Sequence, residues 1–143
     1  MKKTLILTAA LLLTPSLVQA NAIPEMMDAY KAAGGSSFSA EAGKKMWTKE
    51  MPFTKKGENI TGRTCATCHN ADLTKAGKHK KTGKVIAAMA PSVPFVAMDE
   101  KDTPRYSEAK KIKKWFKRNC KWTYGRECTA QEKGDFLMYL KDL

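Results

Sequence analysis

Cys65-Ala66-Thr67-Cys68-His69 decides how this 143-residue chain is read. Two thiols three residues apart lie on one side of a helical turn, and an imidazole follows directly. From there both sulfurs reach the two vinyl groups on one edge of a porphyrin. His69 turns under the ring and offers a nitrogen to the iron. C-x-x-C-H is the attachment site of c-type haem, so one covalent haem c is expected on Cys65, Cys68 and His69. C-x-x-C also occurs in thioredoxin-like redox pairs and in half of a zinc site. The first needs a βαβ context, and no strand-rich βαβ pattern is present. The second needs another closely spaced ligand pair, whereas Cys120 and Cys128 are far more widely separated.

Upstream of the motif, Met1-Lys2-Lys3 is a positive start, Thr4 to Leu13 is apolar apart from two threonines, and Val18-Gln19-Ala20 places small residues at a cleavage site. Residues 1–20 read as a secretory signal peptide, cut after Ala20. An uncleaved anchor is the alternative, but the apolar run is about half the length that spans a bilayer. The expectation is a single domain over residues 21–143, periplasmic, with no stable membrane insertion. The formal charge of +12 comes from 26 Lys+Arg against 14 Asp+Glu, and cleavage removes Lys2 and Lys3. Such an excess invites an acidic partner. Export argues against nucleic acid. A hydrophobic content of 43% argues against global disorder.

The rest of the chain predicts an all-α domain packed around the haem. A short helical stretch over 25–33 stops at Gly34-Gly35. A second helix covers 40–51 with Ser39 as its N-cap. Residues 54–64 and 75–84 are polar, glycine-broken loops, and Pro91, Pro94 and Pro104 keep 91–106 irregular. Ser107 caps a helix over 108–119. Thr129 and Glu132 form a capping box that opens a last helix over 130–142, with Phe136, Leu137, Tyr139 and Leu140 as its apolar side. No convincing β-run and no repeat is present. This order is similar to class I cytochrome c, in which an N-terminal helix with a glycine and an aromatic crosses a C-terminal helix. Gly43/Trp47 and Phe136/Tyr139/Leu140 match that layout.

The residue facing His69 across the ring separates an electron shuttle from a ligand binder. His79 sits in a Lys/Gly loop that reads as solvated surface. Met98 lies in the irregular segment where an electron-transfer cytochrome keeps its methionine ligand, and Met89 is a second option there. Both also read as flexible core fillers. Asn119 ends a stripe of Ile112, Trp115 and Phe116 at helical spacing. An amide there needs a partner, which the iron or a helix C-cap supplies.

Thr64-Cys65-Ala66-Thr67-Cys68-His69-Asn70-Ala71-Asp72, Thr82-Gly83-Lys84-Val85-Ile86 and Ala90-Pro91-Ser92 resemble the sphaeroides haem protein (SHP) family of c-type cytochromes. The most specific segments are Lys114-Trp115-Phe116-Lys117-Arg118-Asn119-Cys120 and Gly125-Arg126-Glu127-Cys128-Thr129. The resemblance spans 61–87 and 104–142, and residues 93–103, including Met98, depart from it. It implies that Asn119 is the sixth iron ligand of the oxidised haem and leaves on reduction. Small ligands such as O₂, NO and CO then bind, with reduction of O₂ as one outcome. It further implies a disulfide between Cys120 and Cys128, structural or redox-active, and a diheme cytochrome c as electron donor. The protein is expected to be a monomer. The alternative is a plain electron carrier with His69/Met98 ligation. No catalytic residue beyond the iron is identified. Lysines at 75, 78, 80, 81 and 84, and basic residues at 110, 111, 113, 114, 117, 118 and 121, read as a solvated face or as a docking surface for an acidic donor.

Overall fold

The computed structural model describes residues 21–97 and 103–143. Met98 and residues 1–20 lie outside the described residues. Helix α1 (Ile23–Ala32) begins where Asn21 Oδ1 accepts the Ile23 N–H at 3.0 Å, and Pro24 occupies its first turn. It buries Ile23, Met26, Met27 and Tyr30. Helix α2 (Ala40–Thr48) starts at Ser39, whose hydroxyl accepts the Ala42 N–H at 3.2 Å, as the sequence predicts.

Strands β1 (Phe53–Lys55) and β2 (Glu58–Ile60) pair antiparallel. This corrects the expectation of a loop over 54–64. Lys56 and Gly57 take φ of 51° and 81°, and two consecutive positive-φ residues favour a tight two-residue hairpin. Beyond the one-turn helix α3 (Ala66–His69), strands β3 (Gly77–Lys78) and β4 (Val85–Ile86) pair in the same sense. The basic loop expected over 75–84 is thus mostly the tip of a second small hairpin.

Helix α4 (Ala109–Tyr124) departs from the prediction at both ends. Ser107 does not cap it. The Ser107 hydroxyl donates to the Pro104 carbonyl at 2.7 Å instead, and Glu108 precedes the helix in extended conformation. The helix also runs five residues past Asn119 and stops at Gly125, whose φ of 69° is left-handed. Helix α5 (Ala130–Lys141) opens with the expected capping box. Thr129 Oγ1 accepts the Glu132 N–H at 3.1 Å, and Glu132 accepts the Thr129 N–H at 2.8 Å.

Helix α2 crosses α5, and α1 packs on α5 and α4. At the crossing Gly43 lies against the Asp135 backbone and the Tyr139 side chain, with no room for a Cβ. Trp47 meets Phe136 edge-on at 6.0 Å between ring centres. Asp135 is buried here, and its carboxylate accepts the Ser39 N–H at 2.7 Å and a Gln131 amide hydrogen at 2.9 Å. Among the described residues no helix is long and apolar enough to cross a membrane. The result is a mostly helical domain of the class I cytochrome c type.

Candidate haem site

The motif is built on a single turn. Thr64 and Thr67 exchange side-chain acceptors for each other's backbone N–H at 2.9 and 3.1 Å, which fixes the entry into α3. The His69 N–H donates to the Cys65 carbonyl at 3.1 Å, and Asn70 ends the turn at φ 72°. Trp47, on α2, holds this end of the motif. Its indole N–H donates to the Asn70 carbonyl at 2.8 Å, and its ring lies 5.8 Å from the His69 ring.

Cys65 and Cys68 are unpaired and partly buried. Burial pushes the Cys65 thiol up to about 11, so it stays protonated; the Tyr124 hydroxyl lies 3.6 Å from its sulfur. Burial, and then the charge of Arg105, push His69 down to about 4. The imidazole is therefore neutral at physiological pH. Its Nδ1 is buried with no hydrogen-bond partner. An unprotonated ring with an unanswered nitrogen, beside two thiols that form no disulfide, is a donor set that fits a haem iron and its vinyl groups.

Asn119 sits in the interior of α4, half-buried, and Gly125 occupies the C-cap. This removes the C-cap explanation for its amide. Among the described residues the Asn119 side chain has no hydrogen-bond partner, although a part-buried amide can make several. Trp115, Asn119 and Trp122 fall at i, i+4 and i+7 and share one stripe. Trp115 is 50% exposed and Trp122 37%. The stripe expected to be apolar and buried is thus half open. Ile112 is buried, Phe116 is half-buried 6.2 Å from Phe136, and Trp115 lies outward.

The motif touches α4 at two places. Tyr124 meets Cys65 as above and donates to the Met46 carbonyl at 2.8 Å. Arg63, two residues before the motif, donates from Nη1 to the Trp122 carbonyl at 3.0 Å and lies over the Trp122 ring at 4.6 Å. At the α-helical rise, Asn119 is about 4.5 Å along the axis from Trp122 and about 7.5 Å from Tyr124. Sequence reasoning missed Trp47 as the anchor of the motif, and missed Tyr124 and Arg63 entirely. The proximity of Arg63 to the motif was the available signal.

Other sequence candidates separate clearly. Met89 Sδ accepts from Arg105 Nη1 at 3.2 Å, on a loop tied to the Leu73 carbonyl. His79 is exposed. Cys120 and Cys128 are joined, sulfur to sulfur, across eight positions of sequence. The bridge ties the turn after Asn119 to the start of α5.

Residues 33–140 match the family described as a domain of unknown function, DUF1924. The cytochrome c-type protein SHP of Cereibacter sphaeroides is 36% identical over 136 residues, covering 94% of this chain and 95% of its own. Cytochrome c'' of Methylophilus methylotrophus is 31% identical over 90 residues, 62% of this chain and 57% of its own. The structure of oxidised SHP, an oxygen-binding cytochrome c, matches with a TM-score of 0.69 at 34% identity over 87% of this chain and 99% of that one. Oxidised cytochrome c'' matches with a TM-score of 0.62 at 26% identity over 83% and 92%. A C-x-x-C-H turn anchored between two crossing helices and α4, in a chain this similar to SHP over nearly its full length, makes it a c-type cytochrome with covalently bound haem that belongs to the DUF1924 family and is similar to SHP.

Proposed function

We propose that the protein is a periplasmic, monomeric monohaem cytochrome that binds O₂ or NO when Asn119 withdraws from the iron on reduction. Cys65 and Cys68 hold the haem as thioethers and His69 is the proximal ligand. The bound haem supplies an iron that cycles between ferric and ferrous and carries axial ligands. The observation that carries the reading is Asn119: a part-buried amide without a hydrogen-bond partner among the described residues, on the stripe of α4 next to its contacts with the motif. A neutral amide oxygen is a hard, weak ligand, better suited to ferric than to ferrous iron, whereas a thioether holds ferrous iron well. Asn119 therefore leaves upon reduction, and Trp115 and Trp122 flank the approach it vacates. The disulfide holds the backbone next to Asn119, so release is a local movement of its side chain.

The likeness to an oxygen-binding cytochrome c supports the choice of O₂. A haem-ligand detachment studied in cytochrome c'', 26% identical to this chain, supports release as a process this architecture accommodates. Electrons come from a diheme cytochrome c. The test is the optical spectrum of the ferrous protein with and without CO, O₂ and NO. Five-coordinate, high-spin ferrous haem that shifts on adding CO is expected. A six-coordinate, low-spin ferrous haem inert to CO would overturn the proposal in favour of a plain electron carrier with Met98 as ligand.

A further inference from the structure

Arg63 stands ahead of the attachment motif, with Thr64 between it and Cys65. Its Nη1 donates to the Trp122 carbonyl at 3.0 Å. Trp122 belongs to the last turn of α4, whose carbonyls find no N–H further along the helix. Arg63 answers one of them, and its positive charge suits the negative end of the helix. Two rings also hold the guanidinium, which lies 4.6 Å from the centre of the Trp122 ring and 5.9 Å from that of Phe53 on β1. Phe53 in turn packs on Gly125, where a Cβ would collide with its ring. The end of α4 is thus clamped against the chain that enters the motif.

This clamp is a short path between the haem attachment and Asn119. Arg63 is two positions before Cys65, and Trp122 is three positions after Asn119, about 4.5 Å along the helix axis. A single charge-assisted hydrogen bond closes the gap between the two segments. The other ties of this part of α4 lead elsewhere. The disulfide runs to Cys128 ahead of α5, and the Tyr124 hydroxyl, although near the Cys65 sulfur, donates to the Met46 carbonyl on α2. A neutral amide is a weak ligand, so its hold on ferric iron depends on how closely the helix that presents it is kept in place.

We propose that Arg63 is a positioning residue for the sixth ligand: by fixing the Trp122 carbonyl it keeps Asn119 within reach of the ferric iron. It acts through α4 and not by contact with the iron. The inference rests on the reading of Asn119 given above and adds what controls that ligand. Loosening Arg63 eases displacement of Asn119 in the ferric state. It changes nothing in the ferrous state, where the amide has already left.

The experiment uses the holoprotein and two optical titrations: ferric haem with imidazole and ferrous haem with CO. Imidazole is added above its own pKa, where it is neutral, so the charge lost at position 63 does not itself alter binding. Arg63→Met keeps the apolar arm and removes donor and charge, and Arg63→Lys restores both. Phe53→Leu loosens the clamp from the β1 side, should Arg63→Met fail to hold haem. The expected result is a ferric imidazole affinity raised at least tenfold by Arg63→Met, in the range for residues that support a metal ligand. Phe53→Leu raises it less, Arg63→Lys returns it towards wild type, and the ferrous CO affinity stays unchanged. In an Asn119→Ala background Arg63→Met adds nothing. If Asn119→Ala raises the imidazole affinity and neither Arg63→Met nor Phe53→Leu does, the inference is overturned and the reading of Asn119 stands. If Asn119→Ala itself leaves that affinity unchanged, the reading of Asn119 falls and the inference with it. A rise that persists in the Asn119→Ala background, or that the ferrous CO affinity matches, also overturns the inference, because Arg63 then governs access to the haem and not Asn119.

Discussion

Where α2 crosses α5, the chain leaves nothing for another molecule to fill. Gly43 brings backbone against backbone at Asp135, Trp47 fits edge-on to Phe136, and the buried Asp135 carboxylate is satisfied by Ser39 and Gln131. On α4 the opposite holds. Trp115 and Trp122 keep much of their surface exposed, and among the described residues the Asn119 amide between them has no hydrogen-bond partner. The two regions are linked through the motif, since Trp47 holds its far end and Tyr124 and Arg63 hold its near end. The difference is between a closed packing seam and a half-open helix face, and the proposed ligand chemistry uses the second. The crossing packs Trp47 beside His69, and in the proposed function the stripe on α4 responds to the iron.

The largest effect should come from emptying the crossing. Trp47→Ala removes a buried indole and the bond to the Asn70 carbonyl, and a large aromatic truncated in a core costs about 3–5 kcal/mol. Denaturant unfolding of the holoprotein reads this directly, and a loss under about 1 kcal/mol would mean that the crossing is not the rigid half. Next in size is the tether between the regions. Replacing Cys120 and Cys128 together by serine opens a loop of sequence separation 8, for which loop entropy gives about 2–3 kcal/mol. If reduction of the disulfide in the wild type leaves the unfolding midpoint where it was, α4 does not depend on that tether.

A smaller, pH-dependent effect belongs to the start of α5. Hydrogen bonds from Arg126 are the largest cause holding the Glu132 carboxyl below its usual range. A depressed folded pKa contributes stability that is present above the unfolded value, near 4.3, and lost as pH falls through the folded value. With Arg126 well exposed, solvent screening keeps the contribution to about 0.5 kcal/mol. Glu132→Gln should flatten the acid limb of the stability curve between about pH 5 and 3 while leaving the haem spectrum unchanged. An acid limb of unaltered slope would contradict the assignment.

The features legible in the sequence were those set by local chemistry. The C-x-x-C-H turn, the Ser39 cap, the Thr129–Glu132 capping box and the Gly43/Trp47 pairing each need only neighbours within one turn or one helix face. The hairpins were hidden because strands of two or three residues carry no readable alternation, and the signal lay in Lys56-Gly57 alone. The end of α4 was misplaced because Asn119 is itself an acceptable C-cap, while the true stop, Gly125, lies six residues on. Trp115 was expected inside because hydrophobicity was read as burial. Arg63, Trp122 and Tyr124 were missed because they act across tens of residues of sequence, which helical spacing cannot reveal.

The central claim is that α4 offers Asn119 to the ferric iron without using it to hold the fold. Asn119→Ala tests this most directly when the ferric optical and electron paramagnetic resonance spectra are recorded beside the unfolding curve. The account predicts a change from low-spin, six-coordinate to high-spin ferric haem, with stability moving by less than about 0.5 kcal/mol as for a substitution outside the packed core. A ferric spectrum unchanged from the wild type would contradict it and move the sixth ligand elsewhere in the chain.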